Sequence, residues 1–122
     1  MTITELVKQS HKTAVEKGFW EGKVVNIKQA SHKFLRGEEG DRNDSELLML
    51  MVTELGEACE ALRHGNPQSE HIPEFTSVEE ELADTVIRLA DMCGARGYRL
   101  EEALKAKMKF NKGREYKHGK KF

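Results

Sequence analysis

Residues 44–64, DSELLMLMVTELGEACEALRH, decide the fold. Apolar side chains recur here every three to four positions over about five turns, as one face of an α-helix requires. Asp44 or Ser45 stands where a helix cap is expected, and Gly65, Asn66 and Pro67 end the run. In the middle of the stripe, among Leu47, Leu50, Met51, Ala58 and Ala61, falls Glu54. An unpaired carboxylate in such surroundings costs several kcal/mol or takes up a proton. Glu57 lies one turn further, about 60° around the same face. Two carboxylates stacked in this way repel each other unless a cation joins them.

The same pattern extends outward along the chain. Thr2 and Glu5 have capping-box spacing and open a first helix ending near Gly18; residues 24–36 form a weaker helical stretch and 37–43 a polar loop. After a loop to Thr76, Ser77 and Glu80 make another capping box, and a helix with the core stripe Val78, Leu82, Val86, Leu89 and Cys93 continues to Arg96, before Gly97. A last helix spans about Leu100 to Lys112, and the tail after Gly113 reads as extended. The chain is therefore expected to be an all-α bundle of four to five helices in a single domain, 1–122, completed by oligomerisation.

The helix after Ser77 repeats the acidic anomaly, with Glu81 and Asp84 at i and i+3 on the flank of its stripe. A pair at that spacing means little by itself, since 21 acids produce roughly three or four such pairs by chance. The face they occupy gives them weight. If the two helices pack antiparallel, Glu54, Glu57, Glu81 and Asp84 converge between them, and oxygen-only ligands suit Mg²⁺, with Mn²⁺ an alternative. The bland alternative makes Glu57, Glu81 and Asp84 surface acids near Arg63 and Arg88. On the last helix Lys107 and Asn111 project into the apolar sector of Leu100, Ala103, Leu104 and Met108, and Arg114 continues the line. Such a set is suited to phosphate oxygens, although a lone lysine there would merely reach past the stripe to water.

Trp20, the only tryptophan, either stacks on a nucleobase or plugs the bundle, and His11 either meets a base edge or decorates the surface. His64 either pairs with the carboxyl-terminal dipole of its helix or lines a ligand pocket. Net charge is −1, so neither a nucleic-acid coat nor an acidic tail dominates, yet from Lys105 to Phe122 the only acid, Glu115, faces eight Lys and Arg residues. That end either meets phosphates or is a solvated tail. Cys59 and Cys93 fall on apolar helix faces and read as buried thiols of a reducing, cytoplasmic compartment. No secretory signal is expected from the amino-terminal pattern, and the longest apolar run, Leu47 to Val52, is too short to span a bilayer.

Glu54-Leu-Gly-Glu57, followed by Glu80-Glu81-Leu-Ala-Asp84 and then by Lys107 to Arg114, resembles the ordered motif set of the MazG-like all-α NTP pyrophosphatases. Gly18-Phe-Trp20 and His118-Gly-Lys-Lys-Phe122 agree with it, and the match covers most of the chain. The resemblance implies Mg²⁺ on Glu54, Glu57, Glu81 and Asp84, and a triphosphate held by Lys107, Asn111 and Arg114. It places His11, Trp20 and His64 near base-contacting positions of the dCTP-hydrolysing branch. It also implies hydrolysis of a (deoxy)nucleoside triphosphate to monophosphate and pyrophosphate, with Glu54 and Glu57 catalytic, by a homodimer or homotetramer. Thr53 stands where many members carry a further acid, and the stretch 23–42 is longer than in compact relatives. Phosphoribosyl-ATP or dUTP pyrophosphohydrolysis, and a helical nucleotide-binding or regulatory module without turnover, are the alternatives. A redox di-metal carboxylate bundle is set aside, because no expected helix carries the inward-facing Glu-x-x-His pairs it needs.

Overall fold

The computed structural model describes residues 1–21 and 42–121. Within them lie four α-helices, α1 (Ile3–Glu16), α2 (Asp44–Arg63), α3 (Ser77–Arg96) and α4 (Leu100–Lys112), and no strand among the described residues. The weak helical stretch 24–36 and most of the loop after it lie outside the described residues.

Local chemistry sets the helix ends, in two places one residue away from expectation. Thr2 and Glu5 form the capping box of α1, as their spacing predicts. For α2 the cap is Asn43, not Asp44 or Ser45; its side chain accepts from the backbone N–H groups of Ser45 and Glu46. For α3 the box is Thr76 with Glu79, not Ser77 with Glu80. Glu80 is thereby released for another task. Gly97 ends α3 in the left-handed conformation at φ 68°, where any side chain would be strained. The tail is not wholly extended either, since Tyr116–Gly119 closes one 3-10 turn.

Helix α3 is the hub, packing on α2 along one side and on α1 along the other. Side-chain ties Asp44–Arg96, Glu54–Arg88 and Asn66–Val78 run in opposite chain directions, so α2 and α3 are antiparallel. Gly94 lets α1 lie close: a Cβ there would stand 2.5 Å from His11 Cβ. The core is small. Leu47, Met51 and Met92 cluster with Trp20 against them, and Ala58, Ala90 and Cys93 are buried.

Much of the expected apolar interior lies outside it. Leu82, Val86 and Leu89, read from the sequence as core, are exposed, and so is Cys59. The reason is geometric: α2 and α3 carry apolar residues around most of their circumference, and three helices in contact cover only one face of each. Helix α4 buries none of its residues, and Leu104 and Met108 on its apolar face are exposed. It leans on α1 alone among the main helix contacts.

The tie between α4 and α1 is polar. The Thr4 N–H donates to Glu101 at 3.0 Å, the Thr4 hydroxyl donates to the same oxygen, and Lys105 donates to Glu101 at 3.0 Å. The Thr4 hydroxyl and Lys105 hold the Glu101 carboxyl down to about 2. A depressed carboxyl stabilises the folded state fully above its ordinary value of 4.5 and loses that contribution as pH falls toward about 2. Protection of the amides of residues 100–112, taken against the intrinsic exchange rate at each pH, should therefore fall selectively across that interval, before α2 and α3 open. Glu101→Gln should flatten this dependence. Equal acid sensitivity in the variant would assign it to other groups.

Candidate metal and nucleotide site

Glu54 and Glu57 come from α2, and Glu81 from α3. One carboxylate oxygen of each lies within 4.8 Å of the others. These are three of the four expected ligands. Asp84, one turn past Glu81, stands outside that trio and lines an adjoining cavity instead. Glu54 is 7% exposed and receives a hydrogen bond from Arg88 Nε. The interior position anticipated from the sequence is thus real, and Arg88 supplies the positive charge that burial demands.

Electrostatics separate the carboxyls. Burial raises Glu54, but the Arg88 hydrogen bond and those to Glu57 and Glu81 bring it below its usual range. Glu57, exposed, is raised by its hydrogen bond to Glu54 and by the Glu54 charge. Glu81 is pushed up to about 7, first by burial and then by Glu57 and Glu54. Burial and the charges of Glu54 and Glu80 also raise Asp84. The cluster therefore holds more negative charge than Arg88 neutralises, and its hard oxygen donors fit a divalent cation such as Mg²⁺.

A pH dependence follows. A carboxyl raised to about 7 binds its proton more tightly in the folded state, so stability is full below about 4.5 and declines as pH rises through 7. Without divalent cations the melting temperature should be lower at pH 8 than at pH 6. Mg²⁺ should raise it more at pH 8, because the ion displaces the proton. Scanning fluorimetry at both pH values, with and without Mg²⁺, reads this directly; a shift indifferent to Mg²⁺ would remove the cation site.

The three consecutive acids Glu79, Glu80 and Glu81 do three separate jobs. Glu79 caps α3, and Glu81 joins the cluster. Glu80 accepts from the Ser69 hydroxyl and pairs with His71 Nδ1 at 2.6 Å. Ser69, 2% exposed, accepts in turn from the N–H groups of His71 and Ile72, which fastens the loop between α2 and α3 onto the start of α3.

Beside the cluster a cavity of about 240 Å³ lies between α1, α2 and α3. Phe19, Leu47, Leu50 and Ile87 supply apolar walls; Arg42, Arg88 and Asp91 supply polar groups, and Glu54 and Asp84 line it as well. Buried Asp91 collects the two aromatic candidates. It pairs with His11 Nδ1 at 2.8 Å and accepts from Trp20 Nε1 at 2.9 and 3.1 Å. The two rings meet edge to face at 5.5 Å, and the Arg42 guanidinium lies 4.7 Å from the centre of the indole. Trp20 is half-buried against the core, so its indole serves packing as well as placing this corner.

The remaining expected residues lie elsewhere. His64 is the exposed end residue of α2, its Nδ1 2.9 Å from the Glu60 carbonyl oxygen, and is not part of the cavity wall. Lys107 and Arg114 on and after α4 both lie over the Phe110 ring, at 4.7 and 5.6 Å. Asn111 Oδ1 is enclosed with no hydrogen-bond partner among the described residues. Within one chain, no hydrogen bond or ion pair among the described residues joins these three to the acidic cluster. Sequence reading passed over Asp91, Arg42 and His71. Asp84, Arg88 and Asp91, at i, i+4 and i+7, share one face of α3, but that spacing alone does not set Asp91 apart from a surface acid.

Comparison of the chain with known protein families, with curated proteins and with solved structures gave no match.

Proposed function

We propose that this chain is a Mg²⁺-dependent nucleotide pyrophosphohydrolase, cleaving a nucleoside triphosphate to monophosphate and pyrophosphate. The observation that carries the reading is the convergence of Glu54, Glu57 and Glu81 from two antiparallel helices next to a mixed apolar and polar cavity. A cluster holding unbalanced negative charge favours cations, and a cavity with apolar walls and a few polar groups favours a planar, polar-edged ring. The order of motifs along the chain, which resembles that of the MazG-like enzymes, agrees.

Glu54, Glu57 and Glu81, with Asp84 at the cavity side, would hold Mg²⁺, or Mn²⁺ in its place. The ion would neutralise phosphate oxygens and lower the pKa of a bound water. Of the two carboxylates considered as base, Glu57 has the freer one, because Arg88 engages Glu54. Glu57 would take the proton of the attacking water. Asp91 would fix the His11 ring and the Trp20 indole at the inner end of the cavity, where the base would lie.

The reading includes a homodimer as its smallest unit. Leu48, Val52, Leu55, Cys59 and Leu62 form an exposed stripe on α2 with alternating spacings of four and three residues. That spacing is the seam along which helices of two subunits pack. A second copy would also bring a second α4, with its own Lys107, Asn111 and Arg114. No helix among the described residues is long and apolar enough to cross a membrane, and free Cys59 and Cys93 fit a reducing cytoplasm.

The test is a panel of NTPs and dNTPs, with phosphoribosyl-ATP, assayed with Mg²⁺ and with EDTA for pyrophosphate and monophosphate. Metal-dependent pyrophosphate release supports the reading and names the substrate. Release of single phosphates, or silence across the panel from folded protein, sinks it.

A further inference from the structure

The negative cluster needs positive or hydrogen-donating groups to receive a polyphosphate, and α4, where the sequence leads one to look, leans on α1 instead of on α2 and α3. Arg42, which shares the cavity wall with Glu54 and Asp84, lies over the Trp20 ring. Arg88 is committed to Glu54. A further candidate is His71, on the loop that follows α2 and within electrostatic reach of Asp84. Its Nδ1 is fixed by Glu80 at 2.6 Å, while the side chain is 82% exposed, so Nε2 is left for a ligand. The loop beneath it is not a free tether. Ser69 is buried and bonded three ways, Gln68 pairs with Thr76, and the Ser69 N–H donates to the Phe75 carbonyl at 2.9 Å.

The anchor also fixes where the ring stands. Glu80 precedes Glu81 directly and lies four residues before Asp84, so it shares a helix face with Asp84 one turn away. A ring held by Glu80 therefore stands on the Asp84 side of α3, at the end of the helix away from Asp91. Its charge and that of Asp84 act on each other. Glu80 raises the His71 imidazole, which favours the form that donates from both nitrogens.

Resting on the nucleotide reading of the site, we infer that His71 is a phosphate contact, donating from Nε2 to the polyphosphate of the substrate and to the pyrophosphate product. Glu80 is its positioning residue: it orients the ring and takes no part in binding. His71 and the cation-binding carboxylates thus approach the phosphate chain from different elements, one from the loop and the others from α2 and α3. The loop and its hydrogen bonds then have a purpose beyond joining two helices.

Side-chain isosteres test this. Asparagine places its amide nitrogen near the position of Nδ1, so His71→Asn keeps the Glu80 bond and removes the outward donor. Glutamine places its amide nitrogen near Nε2, so His71→Gln keeps the donor. Binding of inorganic pyrophosphate with Mg²⁺ is measured by calorimetry, which needs no turnover, and KM and kcat are measured on the preferred triphosphate. His71→Asn should weaken pyrophosphate binding and raise KM by roughly 10-fold at an unchanged melting temperature, and His71→Gln should recover part of the loss. In the unmodified protein, the His71 Nε2 resonance should move on addition of pyrophosphate with Mg²⁺. Wild-type affinity in His71→Asn, or a resonance that stays in place at saturation, overturns the inference. If the parent protein binds pyrophosphate through His71 yet releases none from any triphosphate, the hydrolytic reading fails and the contact stands.

Discussion

On the proposed reaction, Glu54→Gln should lower pyrophosphate release by at least ~10²-fold, since even partners one shell away from a metal are worth 10- to 100-fold and Glu54 is one of the three clustered carboxylates. Its effect on folding should have the opposite character. Glu54 is buried, and losing a buried carboxylate normally costs several kcal/mol through the partner it abandons. That partner, Arg88, is 37% exposed and can turn to water. The change also removes a negative charge that raises both Glu57 and Glu81. The metal-free variant should therefore melt within a few degrees of the parent at pH 8, with a weaker response to Mg²⁺. A variant that loses activity and unfolds together would mean that Glu54 serves the fold. A variant that retains full activity would remove the trio from catalysis.

On the proposed homodimer, Leu55→Lys should convert the dimer to monomers. Leu55 is the central residue of the exposed α2 stripe, 47% accessible in the single chain. Burying a leucine fully contributes about 1.5–3 kcal/mol, and a lysine in its place brings an unpaired charge into an apolar contact, once from each subunit. The dissociation constant should rise by at least ~100-fold, equivalent to about 2.7 kcal/mol. Sedimentation across a concentration series reads the change, and circular dichroism should show the helices intact, because this face of α2 is exposed among the described residues. A parent protein that is monomeric at ~100 μM would remove the dimer from the reading, and a variant that remains dimeric at low micromolar concentration would place the interface elsewhere.

The helices were legible because their punctuation is strong: Gly97 after α3, and Gly65, Asn66 and Pro67 after α2, leave little choice of endpoint. The caps were ambiguous for a physical reason. Asn43-Asp44-Ser45 offers three adjacent cap residues, and Thr76-Ser77 followed by three glutamates offers two overlapping boxes. For α3 the matter turns on long-range contacts, since Ser69 and His71 occupy Glu80 and leave Glu79 for the cap. Glu54 could be found from sequence because burial of an acid contradicts its face. Asp91 could not be distinguished from a surface acid until α1 supplied His11 and the segment after it supplied Trp20. The exposed Leu82, Val86 and Cys59 show the limit of helical periodicity: it identifies an apolar side, but not whether the cover comes from the same chain.

One helix carries both ends of the cavity. Asp84, Arg88 and Asp91 follow one another on α3, and the first and last are seven residues, about 10 Å, apart. Metal-side and inner-end chemistry are thereby graduations on a single ruler, and the ruler is rigid because its backbone hydrogen bonds are all internal. Inserting one residue between Asp84 and Asp91 would swing Asp91 by about 100° and strand His11 and Trp20, while the three acids stayed in place. Across these seven positions the spacing itself is the specification: a substitution changes what one mark of the ruler presents, and an insertion moves every mark beyond it.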